Sequence, residues 1–143
     1  MVSWLLDTNV VFELIRPKPH VAVVAWLAER SGDEARLYLS ALTLAEIHRG
    51  ILRLDPGSRL FARLHAWLNT DLAARFAGRI LAFDEQVART WGAMTAVLPE
   101  GIAVSTMDSL IGATALHHGL ILATRNVSEV KHFGGLAVVD PWN

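Results

Sequence analysis

The chain has 143 residues, a hydrophobic fraction of 52%, a formal net charge of -1 and no cysteine. This length suits one domain with a real core, the apolar content excludes a disordered chain, and the charge excludes long-range attraction to nucleic acid. With no run near the ~20 apolar residues of a membrane span, no basic leader with a cleavage site and no thiol chemistry, a cytoplasmic protein without membrane contacts is expected.

Trp4, Leu5 and Leu6 form a short apolar run that stops at Asp7, after which Val10, Val11, Leu14 and Ile15 recur with helical spacing. That switch of period marks a buried strand feeding a helix. It sets Asp7 at the carboxyl end of the strand, where ligand sites form in open α/β sheets. Arg16-Pro17-Lys18-Pro19 interrupts the pattern, and residues 21–29 read as a short helix. Residues 37–40 read as a second strand, and Thr43 to Leu54 as a helix with Leu44, Ile47, Ile51 and Leu54 on one stripe. After the turn Asp55-Pro56-Gly57-Ser58, residues 59–72 are helical, burying Leu60, Leu64, Trp67 and Leu68.

Residues 80–83 read as a short strand, with Asp84 capping a helix whose apolar face is Val87, Trp91, Met94 and Leu98. Ser105 to His118 is a further helix closed by Gly119. Residues 120–124 form a buried strand that delivers Thr124-Arg125-Asn126, and residues 136–139 a last strand before Asp140-Pro141-Trp142. Strands alternating with helices indicate a parallel sheet covered on both faces.

Of the fourteen acids, three stand out. Asp7 could simply cap its helix, yet Thr8 or Asn9 would cap equally well. Glu46 completes the capping-box pattern Thr43-Leu44-Ala45-Glu46 and could pair with Arg49 or Arg53; it also borders the apolar stripe, with Gly50 one turn on clearing space above it. Asp108 closes Ser105-Thr106-Met107-Asp108, another capping-box pattern, on a helix whose face continues through the small and apolar Ile111, Gly112 and Ala115. A carboxylate aimed at such a face needs a partner, and a metal ion is one that converging acids can share. Glu13, Asp33, Glu34, Asp55, Asp71, Glu85 and Glu129 are assigned to solvent, and Asp140 to a terminal turn. The adjacent His117 and His118 should diverge by about 100° on a helix. His20, His48, His65 and His132 read as surface residues. No HExxH pair, phosphate loop or Gly-x-Ser-x-Gly elbow occurs.

Four segments together resemble a known family: Leu5-Leu6-Asp7-Thr8-Asn9-Val10-Val11, Ser40-Ala41-Leu42-Thr43-Leu44-Ala45-Glu46-Ile47-His48-Arg49-Gly50, Met107-Asp108-Ser109-Leu110-Ile111-Gly112-Ala113-Thr114-Ala115 and Leu122-Ala123-Thr124-Arg125-Asn126-Val127. In this order they are similar to the motifs of PIN-domain ribonucleases, specifically the VapC/FitB-like toxins of type II toxin–antitoxin systems. The resemblance implies a single PIN domain over 1–143, folded as a three-layer α/β/α sandwich with a central, mostly parallel sheet. It further implies a Mg²⁺- or Mn²⁺-dependent endoribonuclease with Asp7, Glu46 and Asp108 as metal-binding and catalytic acids. Asn9, Ser40, Thr124 and Asn126 fall in its motifs as supporting residues. Family members commonly carry a fourth acid where Asn126 stands, and an Asp-Phe pair where Glu129-Val130 stands; Phe133 could supply the aromatic. Expected partners are RNA, a cognate antitoxin and a second copy of the chain, in a homodimer and a toxin–antitoxin hetero-oligomer.

The residue types fit the chemistry. Mg²⁺ takes oxygen ligands and retains waters, and a bound ion acidifies a water for in-line attack on a phosphodiester. The basic residues are eleven arginines and two lysines, and Arg49 and Arg53, on the helix that carries Glu46, are candidate phosphate contacts. Two other readings share these residues: an inactive PIN-like binding module, which the neutral Asn126 keeps open, and an RNA-maturation nuclease with no toxin role. Phosphoaspartate enzymes fit less well, since Asn9 stands where a haloacid-dehalogenase-like site has its second acid.

Overall fold

Leu5 and Leu6 are neighbours in β1 (Trp4–Leu6) and neither is exposed to solvent. Successive strand residues point to opposite faces, so this strand must be covered on both sides. A computed structural model, which describes residues 2–143 apart from the Glu34 side chain, shows how. Strands β2 (Leu37–Ser40), β3 (Ile80–Leu81), β4 (Ile121–Ala123) and β5 (Val138–Val139) join β1 in a parallel sheet ordered β3-β2-β1-β4-β5. On one face Leu6, Leu37, Leu39 and Ala123 meet helices α1 (Thr8–Glu13), α2 (Val21–Ala28) and α3 (Ala41–Leu52) through Val10, Val11, Val23, Ile47 and Ile51. Helix α4 (Arg59–Ala66) leads into the same layer. On the other face Leu5 and Leu122 meet α6 (Glu85–Ala96) and α7 (Thr106–His118), after a one-turn α5 (Ala73–Arg75) on the first side. The expected three-layer α/β/α arrangement is present.

The order reverses direction at β1: the chain moves outward to β2 and β3, then returns to the far side of β1 for β4 and β5. Such a switch point leaves a crevice beyond the carboxyl ends of the central strands. Asp7 follows β1 and its amide donates to the Ala123 carbonyl at 2.9 Å, locking the ends of β1 and β4 together. No helix of the described residues is long and apolar enough to cross a membrane.

Several details depart from the sequence-based expectations, among them Leu60, which is 43% exposed instead of buried. Helix α3 begins at Ala41, capped by Ser40, whose Oγ accepts from the Leu42 amide at 3.0 Å. Thr43 therefore lies inside the helix, fully buried, and the box with Glu46 does not form. The helix expected over 59–72 runs on to Arg75 through a π-helical stretch, Trp67–Leu72, whose wider turn keeps Trp67, Leu68 and Leu72 all on the core side. The rings of the adjacent His117 and His118 nevertheless lie close, with centroids 4.9 Å apart, edge to face.

Glu13 is the largest departure, because it is not in solvent. It is 5% exposed, accepts from the His20 amide and from Arg16 at 2.8 Å each, and so ties the proline-containing turn back to α1. Burial alone would raise its pKa, but the His20 amide and the Arg16 guanidinium outweigh it and hold the carboxyl below its ordinary 4.5. A depressed pKa stabilises the fold above the unfolded value and loses that contribution as pH falls through the folded one. Glu13→Ala is expected to cost about 2 kcal/mol at neutral pH, the scale of hydrogen bonds to a charged group. Chemical denaturation should show that difference shrinking below pH 4.5.

Candidate functional site

Three carboxylates from three elements open onto one cleft of about 240 Å³, lined by Asp7, Thr8, Asn9, Phe12, Glu46, Asp108 and Asn126. Each arrives there for a local reason. Asp7 is the N-cap of α1: its Oδ1 accepts from the Thr8 amide at 2.8 Å, while Oδ2 accepts from the Thr124 hydroxyl at 2.6 Å. Thr124 is fully buried at the end of β4, and its oxygen also takes the Asn126 amide at 3.0 Å. Capping and site membership are thus two uses of one side chain. Glu46, freed from any capping box, reaches across to α1, where the Thr8 hydroxyl donates to its Oε1 at 2.6 Å and lies 3.2 Å from the Thr43 hydroxyl.

Asp108 sits in the first turn of α7, its amide donating to the Ser105 hydroxyl at 3.4 Å. The other half of that capping box belongs to a different acid, since the Ser105 amide donates to Glu129 Oε2 at 3.3 Å. Glu129, on α8 (Val127–Val130), is half-buried and shares a hydrogen bond with the Asp108 carboxyl. It corrects the assignment of Glu129 to solvent, and its position beside the Asp-Phe place in the family pattern was the available signal. Asn126 Nδ2 donates to Asp108 Oδ2 at 3.5 Å. Asn9 bridges the cleft floor, its Nδ2 3.5 Å from Thr124 Oγ1 and its Oδ1 accepting from the Arg125 amide at 3.4 Å. Ser40 lies outside the cleft and acts through the cap it provides to α3. Arg49 on α3 and Arg53 at its C-cap are exposed, also outside the lining. Gly50 faces open space: a Cβ there would meet nothing within 4 Å.

The electrostatics are those of acids gathered without a counterion. Among the described residues no lysine or arginine pairs with Asp7, Glu46 or Asp108. Burial raises the pKa of Asp7, opposed by the Thr124 and Thr8 hydrogen bonds and reinforced by the Glu46 charge. Asp108 is pushed up to about 7 by burial first, then by the hydrogen bond with Glu129 and the charges of Asp7, Glu129 and Glu46. The donors are all hard oxygens, the set a divalent Mg²⁺ or Mn²⁺ accepts. Among the described residues, no three acidic or imidazole side chains already stand close enough to bind one ion directly. A larger hollow of about 380 Å³ between α3 and the π-helical stretch is lined by Leu44, Leu68 and Ile80 and contains no acid, so the acidic cleft is not the larger of the two.

A doubly wound parallel sheet with an acidic cleft at its switch point defines a class of α/β proteins that act on ligands at the strands' carboxyl edge. Residues 4–131 match the PIN domain, and the chain belongs to that family. It is 39% identical over 140 residues to the toxin FitB of Neisseria gonorrhoeae, covering 97% of this chain and 98% of that protein. It is 34% identical over 139 residues to the VapC ribonuclease Y4jK of Sinorhizobium fredii, covering 96% of each. The crystal structure of FitAcB from Neisseria gonorrhoeae superposes with a TM-score of 0.88 at 39% identity, over 98% of this chain and 99% of that one.

Since Asp108 titrates above its ordinary 3.8 in the folded state, folding takes up a proton, and stability falls as pH rises from 3.8 to about 7. Asp108→Asn is therefore expected to raise the melting temperature above pH 7 in chelator and to flatten the profile across that window. Thermal melts of both proteins across the same pH series check this.

Proposed function

We propose that this chain is a divalent-metal-dependent endoribonuclease and the toxin of a type II toxin–antitoxin pair. The observation that carries the reading is the convergence of Asp7, Glu46 and Asp108 on one cleft with no lysine or arginine in its lining. The relatives' names, a toxin and a ribonuclease, support it. Uncompensated carboxylates are costly to hold together, and a bound ion offsets that cost.

Asp7 and Asp108 would hold Mg²⁺ or Mn²⁺, with Glu46 reaching it directly or through a water. That ion, when bound, supplies Lewis acidity to the phosphoryl oxygen and an acidified water as nucleophile. The protein's own work is positioning. The Thr124 hydroxyl fixes Asp7 Oδ2 and the Thr8 hydroxyl fixes Glu46 Oε1, each at 2.6 Å. Glu46 would accept the water's proton. The amides of Asn9 and Asn126 would orient waters in the cleft, where Asn126 contributes an oxygen but no charge. Hydrolysis would join the water oxygen to phosphorus and break the bond to the 3′-oxygen, which would take a proton from solvent, leaving a 5′-phosphate and a 3′-hydroxyl. Arg49 and Arg53, exposed one and two turns beyond Glu46, contact phosphates of the flanking strand. A cognate antitoxin that lays a basic side chain over the acids would silence the site, and the toxin acts as a homodimer within that complex.

RNA incubated with the purified chain should be cut in Mg²⁺ or Mn²⁺ and left intact in chelator. Asp7→Asn is expected to keep the fold and to lose more than about 100-fold in cleavage rate, beyond the scale of losing an outer-shell partner. Undiminished cleavage by that variant overturns the assignment. A wild-type chain that cuts no RNA in either metal supports a PIN-fold binding module instead.

A further inference from the structure

Helix α1 divides its side chains unevenly between core and solvent. It buries Thr8, Val10, Val11 and the carboxylate Glu13, while its largest apolar side chain, Phe12, is 39% exposed. Isolated exposed hydrophobics are ordinary, but this one is not isolated from function: it is the aromatic among the residues that line the acidic cleft, one turn beyond Asn9 and Thr8. Among the described residues Phe12 has no ring–ring or cation–ring partner. The ring is thus partly exposed where it lines the cleft. Every other lining residue is a carboxylate, an amide or a hydroxyl, and no lysine or arginine contributes to the wall.

We infer that Phe12 is a base-stacking residue, holding a nucleobase of single-stranded RNA beside the phosphate presented to Asp7, Glu46 and Asp108. The inference rests on the nuclease reading above and deepens it. A cleft walled by acids repels the phosphate backbone until an ion is present, so binding energy that does not depend on charge has to come from the bases. An exposed aromatic ring supplies it without hydrogen bonds and with little sequence preference. It also requires a base free of a helix, since bases stacked in a duplex present no face to a side chain. What Phe12 adds is a nucleotide beside the cut held unstacked from its neighbour.

The test uses single-stranded RNA carrying 2-aminopurine at successive positions around the cut. With the Asp7→Asn chain, which leaves the strand whole, fluorescence should be quenched at one position, and adding Phe12→Ala should abolish that quench. In the otherwise unaltered chain Phe12→Ala should raise KM by about tenfold, within the range of losing one stacked base. Its kcat should change by less than about twofold, the signature of lost uniform binding. Phe12→Trp should restore both readouts, which a merely structural role would not allow. Unchanged KM and quench in Phe12→Ala, while the wild type cleaves, overturn this inference and leave the nuclease reading intact. The same RNA result with weakened retention of a protein partner also overturns it and assigns Phe12 to that interface. A wild-type chain that cleaves no RNA overturns the nuclease reading and this inference with it.

Discussion

A carboxylate can be buried only where both of its oxygens are satisfied, and the molecule is arranged around one that is. Asp7 is 4% exposed. One oxygen takes the first amide of α1 and the other the Thr124 hydroxyl, contributed by a strand 117 residues away in sequence. That second bond exists because β1 and β4 are adjacent and parallel, with Leu6 opposite Ala123. Shift the pairing by one residue and Thr124 would turn away from Asp7, since strand faces alternate. The sheet order and the site are therefore a single constraint. Building the switch point between β1 and β4 is what makes a buried acid at position 7 tolerable.

Asp7 in turn makes the other acids expensive. Glu46 and Asp108 enter its field, and Glu129 adds another negative group beside Asp108. The hydroxyl of Thr8 and the amide of Asn126 mitigate this with hydrogen bonds, but they bring no positive charge. The free protein thus holds its acidic cleft at a cost in stability, which the cation of the proposed function would offset. Such conflict between local stability and collective charge is expected where a site has been selected for chemistry.

Much of this was legible in the sequence, and the failures share a cause. The strands, their alternation with helices, the Asp84 cap and the three acids all follow from patterns within a dozen residues, and the structure has the sheet and the cap in place. Glu46 was ambiguous because Thr43-x-x-Glu46 is a good local capping signal. Ser40 wins the cap by lying at the true strand end, which only the register of β2 against β3 defines. Glu13 and Glu129 were read as solvent-facing because their partners are made by turns and by another helix: His20 and Arg16 for one, Ser105 and Asp108 for the other. Helical periodicity reports which face of a helix is apolar; it carries no information on a polar contact that closes through a loop. The π-helical stretch had no local signal either, since Trp67, Leu68 and Leu72 are compatible with an ordinary helix face until the core is drawn.

Glu13 also explains how so small a helix can carry so much of the cleft. Six residues are too few to hold a helix in water by propensity, and α1 must nevertheless present Asn9 and Phe12 at fixed places beside Asp7. Its first turn is held by the Asp7 cap, and its far end by Glu13, which takes the His20 amide and Arg16 and thereby returns the chain to the start of α2. Val10 and Val11 anchor the inner side in the core. With both ends tied and the inner face buried, the outer face is released from any structural duty. An apolar ring there adds nothing to the core, so its place at the mouth of the cleft has to be understood through what the cleft binds.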